Sequence, residues 1–172
     1  MKEFIRDVII AFIIVGLLSF VIKPTIVKES SMEDTLHENN YLILFKLAYV
    51  TKDHPDYGDI VVFKTDLDKD DGSGKKLLIK RVIGVEGDYI SIVEGQVYIN
   101  GDPLDEPYVK GGYTDGDVVN YQVPKDRVYL MGDNRAVSLD SRSELLGTVS
   151  EDEILGKAVM RLYPFDQIGI LH

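Results

Sequence analysis

The 172-residue chain has no cysteine. That excludes disulfides, thiolate nucleophiles and thiolate-bound metals, and it leaves the cellular compartment open. Histidine is scarce, with only His37, His54 and His172. None stands at zinc-motif spacing from another His, Asp or Glu, so each reads as a surface or loop residue. No metal and no cofactor is expected. Positive charge is also in deficit, with 19 Lys and Arg against 29 Asp and Glu and a net charge of −10. Binding to phosphate backbones needs a basic face, so no nucleic-acid partner is expected.

What is present is unevenly spread. The apolar fraction is 45%, and the first thirty residues hold its densest block. The length suits one domain with an appendage. Val8 to Ile22 (VIIAFIIVGLLSFVI) carries no charge and is flanked by Arg6, Asp7 and Lys23. As a helix it spans roughly 23 Å, somewhat short of the ~30 Å hydrocarbon core. Snorkelling by Arg6 and Lys23 would make up part of the gap, and Phe4, Ile5 and residues 24–27 add apolar surface. A secretory signal begins in the same way but ends in small residues. Here the run ends Val21-Ile22-Lys23-Pro24-Thr25, which favours an uncleaved membrane anchor over a signal or a buried core helix. Lys2 and Arg6 on one side face Lys23 and Lys28 on the other, so the charge bias sets no orientation.

From Tyr41 onward short β runs alternate with turn residues. Strands are predicted over 41–47, 60–64, 77–85, 89–93, 96–99, 118–123, 128–131 and 158–163, where Val, Ile and Tyr concentrate. Gly-Asp stands beside these runs at 58, 87, 101, 116 and 132. Asn100-Gly101 is a tight-turn signal. Helical period is lost beyond the anchor except for about one turn at 151–155. Many short strands point to an antiparallel sandwich or barrel-like β domain. Residues 66–76 (DLDKDDGSGKK) read as an exposed loop. Asp66, Asp68 and Asp70 resemble the start of a calcium loop, but the glycine falls at the seventh place and Leu77 at the twelfth, so calcium is not expected.

Three clusters hold residues suited to chemistry. In Glu29-Ser30-Ser31-Met32-Glu33-Asp34-Thr35-Leu36, either serine matches a capping box, and a serine is a weak nucleophile without a base. In Leu77-Leu78-Ile79-Lys80-Arg81-Val82-Ile83-Gly84, strand alternation puts Lys80 on one face with Leu78 and Val82. An amine set among branched apolar side chains is disfavoured as an ammonium ion, which lowers its pKa toward the range of a base. The other reading is a lysine whose stem packs while its head reaches water. The third cluster, residues 132–142, packs Asp, Asn, Ser and Arg into one loop after a strand. Asp–Arg pairs and Asx turns account for it structurally, and a serine there could also aim a neutral lysine.

In order and spacing the three clusters resemble the type I signal peptidases. Ser31-Met32-x-x-Thr35-Leu36 is similar to that family's S-M-x-P-T-L box. Lys80-Arg81-Val82-Ile83-Gly84 resembles its lysine box, and Gly132-Asp133-Asn134-Arg135 with Ser138-x-Asp140-Ser141-Arg142 resembles its last. Gly58–Phe63, Tyr98–Gly101 and Leu104–Tyr108 match intervening family segments, so the likeness runs from the anchor to about Tyr163.

The resemblance implies Ser31 as nucleophile and Lys80 as general base, with Ser138 orienting the lysine and Asp140, Arg142 and Arg81 bracing the site. It implies that the Ser31 amide serves the oxyanion. Met32, Leu36 and Ile79 are expected in shallow pockets that accept alanine. The implied fold is mainly β: an antiparallel catalytic domain over 29–172, preceded over 1–28 by a cytoplasmic tip and one transmembrane helix. The implied location is the plasma membrane, crossed once, with the catalytic domain outside. The implied partners are membrane lipid and secreted preproteins with small-x-small cleavage sites.

Two departures stand out. Asp34 replaces the family's proline, so a side-chain cap is expected to set that turn. Glu29 stands where many members have serine or glycine, and is expected to point away from the Ser31 amide. Ala136 and Val137 replace residues that are often polar. Two other readings compete: a self-cleaving Ser–Lys protease of the repressor type, and a silent membrane-tethered β module.

Overall fold

The first element is set by the apolar block. Helix α1 (Lys2–Val21) is longer than the uncharged run because Phe4 and Ile5 extend it toward the N-terminus. Twenty residues give about 30 Å, the thickness of a hydrocarbon core. Its window Glu3–Val21 has mean hydropathy 2.4 and none of it is buried against the rest of the chain. The structure, a computed structural model, describes residues 1–50, 54–69 and 71–171. Asp70 of the calcium-like triplet and His172 lie outside the described residues; His37 and His54 are exposed.

The strands follow as β1 (Ile22–Ile26), β2 (Tyr41–Phe45), β3 (Ile60–Asp68), β4 (Lys75–Gly84), β5 (Tyr89–Val93) and β6 (Gln96–Ile99). After them come β7 (Asp102–Pro103), β8 (Val118–Gln122), β9 (Arg127–Met131), β10 (Val149–Ser150), β11 (Ile154–Tyr163) and β12 (Gly169–Ile170). They form two antiparallel sheets. One runs β1-β2-β11-β3-β4-β9-β10 with β12 on β11, and the other runs β7-β6-β5-β8. The mainly β architecture read from the sequence is therefore present.

Period-two alternation builds three cores. Leu42, Leu44, Ile60, Val62 and Ala158 meet Met32 and Leu36 in the first. Val61, Phe63, Leu78, Val82, Val128 and Leu130 form the second, on the opposite face of β3 and on β4 and β9. Tyr129, Met131 and Ile83 turn toward Ile90, Ile92 and Val97 of the second sheet to form the third. Strand β3 is thus covered on both sides, which is why Ile60-Val61-Val62-Phe63 is continuously apolar.

Several expectations need correction. The stretch 22–26 is not the apolar end of the anchor but an edge strand, paired from Ile22↔Phe45 to Ile26↔Tyr41. Pro24 is tolerated there because an edge strand has one side with no ladder to donate to. Residues 66–76 are not all loop: β3 and β4 extend until Asp68 pairs Lys75. Strand β11 starts at Ile154 instead of 158, with a register shift between Ile154 and Gly156. Gly156 has φ +153°, and a Cβ there would press on the Phe45 carbonyl at 2.7 Å, so the bulge requires glycine. At 151–155 only a 3₁₀ turn, Glu151–Glu153, is found. Asn100 (φ 55°) and Gly101 (φ 93°) form the two-residue turn that their sequence predicts.

Candidate active site

The chain leaves β1 and stays tied to its neighbours, as Val27 N–H donates to Asn40 O at 2.9 Å and Asn39 N–H returns to Val27 O at 2.9 Å. It then turns over residues 30–36. Met32 and Leu36 are fully buried and anchor this turn in the first core. The Ser31 carbonyl accepts from Asn134 N–H at 3.0 Å, and the Ser30 carbonyl accepts from Asn134 Nδ2 at 3.2 Å. Neither capping box is realised. The bond that closes the turn is Glu33 N–H to Ser30 O, and the Ser31 hydroxyl is engaged elsewhere. Asp34 makes no cap; Lys110 pairs with Glu33 at 2.9 Å and Asp34 at 3.6 Å across the turn.

Lys80 lies in β4 opposite Val61, on the face shared with Leu78 and Val82, and is 1% exposed. Its Nζ hydrogen-bonds to the Ser31 Oγ, itself buried. Burial pushes the Lys80 amine down to about 8, against the opposing pull of Asp140, Glu29 and Asp133 and with help from Arg142. Sequence alternation had left open whether this lysine reaches water. It does not.

Around the pair lies a buried ionic frame. Arg81 donates to both carboxylate oxygens of Asp133, at 3.0 and 2.8 Å, and to Gly58 O at 2.9 Å. The Tyr108 ring lies 4.0 Å from its guanidinium carbon. Thr35 Oγ1 donates to Asp133 Oδ2 at 2.5 Å, so the serine turn, β4 and the third loop meet on one carboxylate. Asp140 accepts Gly132 N–H at 3.1 Å and a forked pair from Arg142 at 2.8 and 2.9 Å. Arg135 donates to Gly132 O at 2.8 Å and pairs with Glu106 at 2.5 Å. Asp133, Thr35, Arg135 and Glu106 were not singled out from the sequence, although the first three stand inside the quoted boxes. Their density of charge was the available signal.

Ser138 stands apart from its expected place. Its Oγ is buried, has no hydrogen-bond partner among the described residues, and does not bond Lys80. It packs on Gly132, where a Cβ would strike both the Ser138 hydroxyl and the Ser31 carbonyl. Glu29 is exposed and makes no hydrogen bond with the Ser31 amide. Among the described residues that amide has no acceptor.

A cleft of about 590 Å³ reaches Glu29 and Ile79, the sequence neighbours of the pair, although neither Ser31 nor Lys80 lines it. One wall is Thr25 to Glu29, the other is Lys76 to Ile79, Val62 joins them, and Lys69 and Asp71 stand at the hairpin tip. Ile79 lines it. Met32 and Leu36, expected in substrate pockets, do not, because their side chains are spent in the first core. On the cleft side, β4 pairs with β9 only from Arg81 onward, so 77–79 present a strand edge.

A buried amine of lowered basicity against a hydroxyl, at the end of a strand-edged cleft, suits a hydrolase that activates serine without histidine. Residues 1–163 match the family described as Signal peptidase, peptidase S26. The chain is 37% identical to "Probable signal peptidase I-2" of Synechocystis sp. over 99% of its own length and 75% of that protein. It is 31% identical to "Signal peptidase I" of Bacillus licheniformis, covering 96% of this chain and 90% of the relative. A crystal structure of a signal peptidase I from Enterococcus faecalis V583 aligns with TM-score 0.49 and 26% identity, over 61% of this chain and 97% of that one. The chain belongs to the signal peptidase family S26 of serine peptidases.

Proposed function

We propose that the protein is a membrane-bound serine endopeptidase that removes N-terminal signal peptides from secreted preproteins, cutting after small-x-small sites, with Ser31 as nucleophile and Lys80 as general base. The observation that carries this reading is the buried contact between Lys80 Nζ and Ser31 Oγ. Neutral Lys80 takes the Ser31 proton as the oxygen bonds to the scissile carbonyl carbon. The resulting ammonium gives that proton to the departing amine. Lys80 next takes a proton from the attacking water and gives it to the Ser31 oxygen as that oxygen leaves the acyl carbon, which restores the hydroxyl and the neutral amine.

The unengaged Ser31 amide is suited to hold the oxyanion. Arg81, through Asp133, and Arg142, through Asp140, brace the elements that carry the pair. The unsatisfied Ser138 hydroxyl lies with the Ser31 carbonyl against Gly132, and turning toward Lys80 would give it the partner that a buried hydroxyl needs. The cleft, with a strand edge on each side, suits an extended peptide. Its shallow apolar lining at Ile79 suits small side chains. Helix α1 is the single span; of residues 1–28 the first 21 form a cytoplasmic tip and anchor, and 22–26 join the β domain as β1. The catalytic residues 29–172 then lie outside the plasma membrane, where signal peptides emerge.

Purified protein in a detergent–phospholipid mixture should cut a preprotein with an Ala-x-Ala site after the final alanine. Ser31→Ala and Lys80→Met should be inert. An active Lys80→Met would remove the proposed base, and an inert wild type across several preproteins would remove the peptidase reading.

A further inference from the structure

The anchor is not tethered to the β domain by a linker. Ile22 N–H still donates to Leu18 O inside α1 while Ile22 already pairs Phe45 as the first residue of β1. A helix leaves its last carbonyls without partners, and at the edge of a hydrocarbon layer water is a poor substitute. Here one residue collects two of them. Lys46, immediately after β2, donates its backbone N–H to Val21 O at 2.8 Å and its Nζ to Ser19 O at 3.2 Å. The same Nζ lies 5.4 Å from the centre of the Phe20 ring. A cation at a helix C-terminus also opposes the helix dipole favourably.

The sequel is equally stiff. Strand β1 keeps its register with β2 to Ile26↔Tyr41, Val27 and Asn40 close the next step, and after Lys28 and Glu29 the Ser30 carbonyl is again held, by Glu33 N–H and Asn134 Nδ2, just before Ser31. The free chain between the last helical carbonyl and the serine turn is limited to Lys28 and Glu29.

We propose that Lys46 is a positioning residue that locks α1 to β2 and so fixes the height of Ser31 above the bilayer. The inference rests on reading α1 as a membrane span and the Ser31–Lys80 pair as the peptidase centre. A substrate's apolar segment is held in the same bilayer. A site at fixed height therefore selects substrates by how far the cleavage point stands beyond that segment. A loosely tethered site would reach a range of heights.

The test uses the full chain in phosphatidylethanolamine–phosphatidylglycerol vesicles. Preproteins with apolar segments lengthened residue by residue are compared with a short soluble Ala-x-Ala peptide assayed in detergent. Wild type should show one preferred segment length. Lys46→Met, and separately a short Gly-Ser insertion after Val21, should flatten that preference and slow the preferred preprotein roughly tenfold. Lys46→Arg, which keeps the charge and the donors, should restore both. Turnover of the soluble peptide should stay within about twofold for every variant, since none touches the serine pair. Unchanged length preference in both altered proteins would overturn the proposal, as would an equal loss on the soluble peptide or a wild type indifferent to length. A wild type inert on both substrates would instead overturn the peptidase reading, and this inference with it.

Discussion

The sharpest expectation concerns pH. If neutral Lys80 is the base, the rate must follow its deprotonated fraction. Burial lowers the amine from the ordinary 10.5 to about 8. About one molecule in eleven then has neutral Lys80 at pH 7, and about ten in eleven at pH 9, so kcat/KM should rise roughly tenfold between them and level off. An unshifted lysine would place that rise above pH 9.5, and a carboxylate base would leave the rate flat over the whole interval. The position of the limb can be moved without touching the pair. Asp140, Glu29 and Asp133 hold the ammonium form up, while Arg142 pushes it down. Asp140 and Asp133 are buried and structural, but Glu29 is exposed and makes no side-chain hydrogen bond among the described residues. Glu29→Gln removes one stabilising charge, so the limb moves to lower pH, the rate at pH 7 rises and the plateau stays. The assay is initial-rate cleavage of a soluble Ala-x-Ala peptide in detergent from pH 6 to 10, for wild type and Glu29→Gln. A rise centred in the carboxylate range or above pH 10, or a limb that Glu29→Gln shifts upward, would refute the assignment.

Two further outcomes follow from the same burial and packing. The folded chain binds the Lys80 proton less tightly than the unfolded chain does. The cost is therefore fully present below pH 8 and is relieved as pH rises from about 8 to 10.5. That gap corresponds to about 3 kcal/mol, less the lost Ser31 contact, so Lys80→Met should be inert yet melt roughly 5–10 °C higher at pH 7. Thermal unfolding in detergent should show the advantage shrinking at pH 10, and a less stable variant at pH 7 would contradict it. Gly132→Ala drives a methyl group into Ser138 and the Ser31 carbonyl. It should cost about 1–3 kcal/mol of stability by overpacking and lower kcat more than it raises KM, read from denaturant midpoints and steady-state kinetics.

Much was legible from short stretches of chain. The uncharged block specifies one long apolar helix, because fifteen uncharged and mostly apolar residues stand in a row. Branched and aromatic residues in 60–63, 78–82, 89–93 and 128–131 specify strands, and parity places Lys80 on the face of Leu78 and Val82 while leaving open whether its amine reaches water. The order of the three clusters was enough to point to the family. Where local signals failed, longer-range pairing had intervened. Residues 22–26 look like frayed anchor until β2 offers them a partner, and 66–76 look like loop until Asp68 meets Lys75.

The site itself is a different matter. Ser31 and Lys80 are 49 residues apart, Thr35 and Asp133 are 98 apart, and Ser30 and Asn134 are 104 apart. Their meeting depends on how the larger sheet is registered and how the serine turn is pinned by Met32 and Leu36, which is also why those two residues do not line the cleft. The lowered basicity of Lys80, the joint use of Asp133 and the lock of Lys46 on α1 arise only once those surfaces close. The sequence by itself determined the kinds of elements and the residue types available for chemistry, since propensity and period are properties of neighbouring residues. Only the tertiary structure decided which groups share a buried, water-poor space, because desolvation and hydrogen-bond geometry depend on everything that surrounds an atom and not on its place in the chain.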